Sequence, residues 1–545
     1  MAMATKFKIL AADELSPNGL AYIRGQADAE LVCKPGVSED ELVAIIGDFD
    51  GLIVRSGAPV TARVLAHPGR LKIVARAGVG VDNIDLEAAT AAGGLVINSA
   101  EASTITTAEH AFALMLALAR HIGPAYKTMT EGGWDRGKFQ GHQLAGKTLG
   151  VVGFGRIGQT VAERALAFEM KVIAYDPFIN ADTMMAGQVK MVRKFVEILP
   201  HADVLTFHVP LNEHTRGMLG EKEFENDAKR GVLVVNASRG GVVDEHALLT
   251  ALDHGTCGGA ALDVFTSEPP PVGHPAGFAH GLRDHPKILV TPHLGASTVE
   301  AQEAINVNAA MALLDYLRGQ GVRGAVNVAG LHFDLDPLQG RYVDLALRMT
   351  MLLSPMITTG IKSVTFEVAG QALVPAVATI ERMAMIGLLQ PNLDTRLNLV
   401  NVRHVAEQRG IMLRTVSTDE EKMSGPQIAI EIESADRTHR IVGHVYSDLR
   451  PRVVEINGYH MDLVPAGDMV LVRNDDRPGM IGRVGTEFGN ANINIANMAI
   501  SRRGSTALMV LCVDNEPPPA IVDHLLAQPG IDKVAMVKLP EERRA

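Results

Sequence analysis

The chain has 545 residues, a net charge of −11 and 47% hydrophobic residues. That length allows about three or four domains, and the negative balance excludes a nucleic-acid or anionic-membrane surface as the main partner. Three cysteines, Cys33, Cys257 and Cys512, are too few and too scattered for a disulfide framework or a zinc site, so no metal is expected and the cytoplasm is the expected compartment. The N-terminus reaches a strand too soon for a signal peptide. The most apolar helical run, Ala108 to Ala119, is shorter than the roughly 20 residues of a membrane span.

In chain order, residues 6–103 alternate short apolar strands (Lys8 to Ala11, Leu52 to Val54, Leu71 to Ala75, Leu95 to Asn98) with helical segments (Leu20 to Ile23, Thr61 to Leu65). Strands alternating with helices predict a parallel α/β sheet. Thr104 to His121 predicts a long helix bridging to a second domain. That domain carries the densest signal of the chain. An apolar run, residues 148–152, leads into Gly153, Gly155 and Gly158 in a G-x-G-x-x-G pattern, then a helix, then a second apolar run ending in Asp176. Gly153 permits the tight turn, Gly155 lets backbone approach a pyrophosphate, and Gly158 lets helix pack on strand. The helix N-terminus offers unpaired N–H groups to phosphates. Asp176 suits ribose hydroxyls and repels a 2′-phosphate, which favours NAD over NADP.

Further βα units follow at Val204 to Phe207, Gly231 to Asn236, Gly258 to Val264 and Ile288 to Pro292, and Ala301 to Leu317 is a helix free to return to the first domain. Three side chains lie just past the ends of these strands, where ligands sit in doubly wound sheets. Arg239 offers a guanidinium fork for a carboxylate. His293 can exchange a hydroxyl proton near neutral pH. Glu268 can fix its tautomer and raise its pKa. The plainer alternative is a surface ion pair worth under about 1 kcal/mol.

After Val328 the character of the chain changes. Residues 330–463 mix a long helix, from Leu345 to Met356 and beyond, with strands at Ser363 to Val368 and Gln427 to Ile432, and a strand pair at His439 to Tyr446 and Arg452 to Ile456. From Met469 the order is strand, helix, strand, strand, helix, strand, which predicts a small ferredoxin-like sandwich.

Residues 76–85, 146–158, 236–240, 261–265 and 291–298 together resemble the D-isomer-specific 2-hydroxyacid dehydrogenase family, over roughly residues 6–326. Residues 330–463, with Leu399 to Arg403 and Val453 to Gly458, resemble the intervening domain of the long-form phosphoglycerate dehydrogenases in that family. Residues 469–540, with Asp476 to Gly479 and Ala491 to Ile495, resemble an ACT regulatory domain. The resemblance implies two Rossmann-like domains, substrate-binding (1–104, completed by 303–329) and NAD-binding (105–302), then an intervening domain (330–463) and an ACT domain (464–545). It implies NAD-dependent oxidation of 3-phosphoglycerate, the first step of serine synthesis. Another 2-oxo acid (hydroxypyruvate, glyoxylate or 2-oxoglutarate) or an NADH-sensing, corepressor-like binding protein is the alternative.

By the same resemblance Arg239 orients the substrate carboxylate, His293 is the acid/base and Glu268 its partner. Arg156 and Ile157 meet the pyrophosphate through backbone, and Val79, His208, Pro210, Ala237, Ser238, Asp263, His293 and Gly295 line the dinucleotide. Arg55 and Arg76 hold the far oxygens of the substrate, with Ser103 where an Asn often stands. Ordinary solvated charge is the alternative for the two arginines. Asn474, Asp476 and Asn494 match serine-binding positions, with turn chemistry as the alternative and Asn474 standing where His or Tyr is more usual. Glu169 replaces a helix-ending glycine. An insertion-like segment, Val272 to Leu282, separates Glu268 from His293. A homodimer or homotetramer is the implied assembly.

Overall fold

The structure, a computed structural model, describes residues 6–179, 187–268, 281–328, 331, 335–393, 396–420 and 425–541. Most of the insertion-like segment lies outside the described residues.

The first sheet has five strands: β1 (Phe7–Ala11), β2 (Ala29–Cys33), β3 (Gly51–Val54), β4 (Ile73–Arg76) and β5 (Leu95–Asn98), in the order β2-β1-β3-β4-β5. β1 pairs in parallel with β2 and β3, so the chain reverses its winding direction beside β1, as in a doubly wound sheet. β1 and β3 are wholly or mostly buried. Helix Val299–Arg318 reaches the first sheet: a Cβ on Gly51 would meet Leu313 at 3.0 Å, and one on Gly19 would meet Asn306 at 3.0 Å.

The second sheet has seven strands: β6 (Thr148–Val152), β7 (Lys171–Tyr175), β8 (Val189–Val192), β9 (Val204–Phe207), β10 (Val232–Asn236), β11 (Cys257–Leu262) and β12 (Ile288–Val290). Their order is β12-β11-β10-β9-β6-β7-β8, parallel throughout. Winding reverses between β6 and β9, which places the glycine loop after β6 at the crevice where such sheets take ligands. Helices Thr104–Ala119 and Arg156–Ala167 cover one face, closing a core with Val151, Phe154 and Ala261.

The third sheet runs β13 (Ile361–Ala369), β14 (Met412–Thr418), β15 (Gln427–Ser434), β16 (Thr438–Val445), β17 (Pro451–Ile456) and β18 (Tyr459–Leu463), ordered β14-β13-β15-β16-β17-β18. Only β14 joins in parallel. The long helix of this region is Pro337–Leu353, starting eight residues before the expected Leu345. Its start is set by local chemistry, a capping box between Asp336 and Gln339 with Pro337 in the first turn. Helix Val377–Leu389 packs beside it.

The last sheet, β19 (Asp468–Asp475), β20 (Ile495–Arg503), β21 (Thr506–Val513) and β22 (Ile531–Lys538), has the order β20-β21-β19-β22 and carries helices Met480–Asn490 and Ala520–Leu526. That is the βαββαβ sandwich. Among the described residues, two helical stretches, Ala100–Ala119 and Gln371–Asn392, reach the length and apolarity of a membrane span, and 50% and 61% of their most apolar 18-residue windows are buried within the protein. The first is longer than its apolar run suggested because a 3-10 turn, Ala100–Ser103, leads directly into the helix.

By internal packing the chain forms two compact units. One is Met1–Pro59 with Ala75–Asn83 and Ile97–Leu314; the other is Val60–Val74 with Ile84–Val96 and Asp315–Ala545. The active-site residues below all belong to the first.

Candidate active site

The glycine loop is built by exclusion. A Cβ on Gly158 would stand 2.1 Å from the Gly153 carbonyl oxygen, and one on Gly153 would stand 2.4 Å from that of His208. Gly153 also has φ +89. At Gly155 an added Cβ meets nothing within 4 Å, and no side chain caps the helix that begins there. Open space beside bare helix N–H groups fits a pyrophosphate. Asp176, at the end of β7, accepts from Phe154 N–H and Phe178 N–H, each at 2.9 Å. A carboxylate has capacity for further donors, as ribose hydroxyls require. These residues fit an NAD molecule.

His208 follows β9; its Nε2 lies 3.0 Å from Thr206 Oγ1, while its buried Nδ1 has no partner among the described residues. Burial pulls its pKa down to about 4, so the ring is neutral at neutral pH. Ala237 and Ser238 are buried behind β10, and Ser238 is folded onto Asn236 Oδ1. Pro210 is exposed beside them in sequence after β9. The Val79 carbonyl accepts from Asn98 Nδ2 at 2.6 Å.

His293 and Glu268 meet: Nδ1 to Oε2 is 2.8 Å. Glu268 is steadied by Phe265 N–H on its other oxygen at 3.1 Å. The Glu268 hydrogen bond raises the His293 pKa above its ordinary value against the opposing effect of burial, with help from the charges of Glu268 and Asp263. For Glu268, burial pulls upward, but the His293 bond and charge and the Phe265 N–H outweigh it and leave the carboxyl below its usual range.

Arg239 lies with Nε 3.5 Å from Asp82 Oδ2 and Nη1 2.7 Å from the Ser238 carbonyl. Gly80 makes room for this: a Cβ there would stand 2.2 Å from Arg239 Nη2. Arg76 donates to the Ala77 carbonyl at 2.7 Å, and its buried Nε has no partner among the described residues. Burial and the charges of Arg55 and Arg239 press the Arg76 pKa down to about 10, against Asp13 and Asp82. Arg55 Nη2 donates to Gln302 Oε1 at 2.5 Å. Its loop is clamped by Asp13, which accepts from Arg55 and Ala58 N–H, and by Asn83, which donates to both carbonyls. A cleft of about 480 Å³ is lined by Arg55, His293, Ala296, Gln302 and Asn306, among others. Ser103 is fully buried, with an unpartnered hydroxyl.

The structure therefore gathers Arg55, Arg76 and Arg239 into one cationic group and pairs His293 with Glu268. The Arg156 side chain holds Glu101 at 2.5 Å on the surface, while the backbone of Arg156 and Ile157 forms the first turn of the helix beside the open space at Gly155. Residues the sequence reading passed over include Asp82, Asp13, Asn83, Gln302 and His110. Asp82 and Asn83 lay in plain view inside the 76–85 motif; the others meet the site from far along the chain.

The candidate effector residues are not assembled within one chain. Asn474 is buried with an unpartnered Oδ1, and Asp476 pairs with Arg502 at 3.2 Å. Asn494 lies toward the other end of the sheet, on Asp514. Asn474 pairs with Ala507 of β21, whereas the strand after Asn494 begins opposite Val513, about 20 Å away along the strand.

Residues 112–295 match the NAD binding domain of the D-isomer specific 2-hydroxyacid dehydrogenases, residues 339–457 the D-3-phosphoglycerate dehydrogenase intervening domain, and residues 469–530 the ACT domain. The D-3-phosphoglycerate dehydrogenase of Archaeoglobus fulgidus is 37% identical over 98% of this chain and 100% of its own length. That of Bacillus subtilis is likewise 37% identical, over 98% and 100%. The chain belongs to the D-3-phosphoglycerate dehydrogenase family. Among solved structures, a glyoxylate reductase covers 59% of the chain and 98% of its own, at TM-score 0.53 and 28% identity. The Aquifex aeolicus D-lactate dehydrogenase, solved with NAD and lactic acid, covers 57% and 96%, at 0.52 and 26%. As a D-3-phosphoglycerate dehydrogenase family member, the chain combines an NAD-binding dehydrogenase body with an ACT domain, the kind of module that takes a small-molecule effector.

Proposed function

We propose that this chain oxidises 3-phospho-D-glycerate to 3-phosphooxypyruvate with NAD, opening L-serine biosynthesis in the cytoplasm. The observation that carries this reading is the cationic group of Arg55, Arg76 and Arg239 in the same unit as a His293–Glu268 pair. A substrate with a carboxylate at one end and a phosphate at the other supplies anions for these three arginines beyond the carboxylates of Asp13 and Asp82 already near them.

Arg239 binds the carboxylate and polarises the developing carbonyl. Arg55 and Arg76 hold the phosphate, with Ser103 near the substrate. With Nδ1 committed to Glu268, His293 takes the C2 hydroxyl proton at Nε2 as the hydroxyl carbon is oxidised, and Glu268 stabilises the imidazolium that results. NAD, when bound, supplies the hydride acceptor. Gly153, Gly155, Arg156, Ile157, Gly158 and Asp176 would hold its phosphates and adenosine ribose, and Val79, His208, Pro210, Ala237, Ser238, Asp263 and Gly295 the rest.

The domains in this reading are 1–104 with 303–329, 105–302, 330–463 and 464–545. L-serine is the proposed effector. Because Asn474 and Asp476 stand at one end of the ACT sheet and Asn494 toward the other, a site using all three needs a second copy of the chain, which favours a homodimer or homotetramer.

Steady-state rates with 3-phosphoglycerate, hydroxypyruvate, glyoxylate and 2-oxoglutarate test the substrate. A preference for 3-phosphoglycerate that disappears in Arg55→Ala and Arg76→Ala supports it. Equal use of unphosphorylated acids contradicts it.

A further inference from the structure

Helix Thr104–Ala119 lays one face against the loop that carries His293. Thr106 Oγ1 is 3.4 Å from Thr298 Oγ1, and a Cβ on Gly295 would stand 3.4 Å from Thr107 Cγ2. Next on that face, His110 Nε2 lies 3.1 Å from Asp263 Oδ1 and 3.2 Å from Thr291 Oγ1. Asp263 is fully buried. It accepts from the Thr291 hydroxyl at 2.5 Å, Leu294 N–H at 2.8 Å and Gly295 N–H at 2.8 Å, and its backbone carbonyl accepts from His293 N–H at 2.8 Å. These bonds bracket His293 and hold it at φ 55, a left-handed backbone that needs such support. A carboxylate oxygen already receiving O–H and N–H donors can only accept, so the His110 hydrogen sits on Nε2 and donates.

We propose that His110 is a positioning residue for the dehydrogenation: it holds the Asp263 carboxylate where that carboxylate folds the His293 turn. The proposal rests on His293 being the proton acceptor, as read above. A buried carboxylate is costly without a strong donor partner. Among the described residues, His110 is the basic side chain within ion-pair distance of Asp263.

The test compares H110L, H110N and H110Q with the parent for kcat, KM and melting temperature, on whichever hydroxy or oxo acid the parent turns over. In H110L kcat falls about 10- to 100-fold through a misplaced His293. KM for the acid stays within about 3-fold, because the arginines are untouched. H110Q, whose Nε2 reaches as far as the imidazole's, recovers most of kcat. H110N is polar but too short to reach Asp263, and carries the same expectation as H110L should that variant not fold. Parental kcat in H110L or H110N, a rise in KM matching the fall in kcat, or an H110Q that melts like the parent without recovering kcat would each overturn the proposal. A parent active only on an unphosphorylated acid counts against the proposed substrate while His110 is judged on that acid. A parent inert with every acid overturns both.

Discussion

His293 takes its properties from two carboxylates: Glu268 bonds its Nδ1, and Asp263 shapes the turn that presents it. The Glu268 bond raises the imidazole pKa above its ordinary value. In the proposed oxidation His293 must start as the neutral ring, so the rate should fall as pH drops through that raised pKa, placing the acid limb of the profile above the usual value of about 6.5. In Glu268→Gln the limb moves toward lower pH; an unmoved limb in the pH–rate profile would sever the pair from the chemistry. His293→Ala loses about 10²- to 10⁴-fold in kcat while NADH fluorescence titration shows binding retained. Joint loss of both would count against the proton-transfer role. The trio could be read from the sequence because each member follows a strand of a recognisable nucleotide domain. His110 could not: its partner Asp263 is reached only by folding, and a histidine on an apolar helix carries no local mark of that bond.

At the scale of elements, the last two glycines of the fingerprint act differently. Gly155 has room for a methyl group and an ordinary backbone (φ −69), whereas Gly158 has a carbonyl 2.1 Å from where one would stand. Gly155→Ala should keep the parental melting temperature and weaken NADH binding, by filling the space a pyrophosphate needs. Gly158→Ala should lose both. Equal melting losses in the two variants, by calorimetry, would contradict the assignment of Gly155 to ligand space. Glu169 ends its helix at φ +61, a conformation costing a non-glycine residue about 1 kcal/mol. Glu169→Gly should therefore raise the melting temperature by about 2 °C; a lowered one would show the side chain compensating elsewhere.

Elements with strong periodicity were legible, and β9 falls where the pattern placed it, at Val204–Phe207. β14 was not, because its residues are nearly all exposed and carry no alternation. β2 and β8 are short edge strands with only one buried residue each, too little apolar signal to stand out.

At the scale of the molecule, the second unit binds the ACT sheet into the intervening domain. One core holds Leu345, Met349 and Ile456 together with Leu471, Leu508 and Val510. Arg348, buried to 3% exposure, bonds Asp344 and the carbonyls of Pro465, Pro540 and Glu541. Such long-range bonds have no sequence signature. Arg348→Met should cost about 3 kcal/mol and release the C-terminal segment to proteolysis; parental protease resistance would contradict this. The central claim, that the arginine group and the His293–Glu268 pair serve a phosphorylated hydroxy acid, meets its most direct test in NADH formation from NAD and 3-phosphoglycerate by the purified full-length chain. Turnover should depend on the phosphate and fall sharply in Arg239→Ala. No NADH formation by a chain that still binds NADH would contradict it.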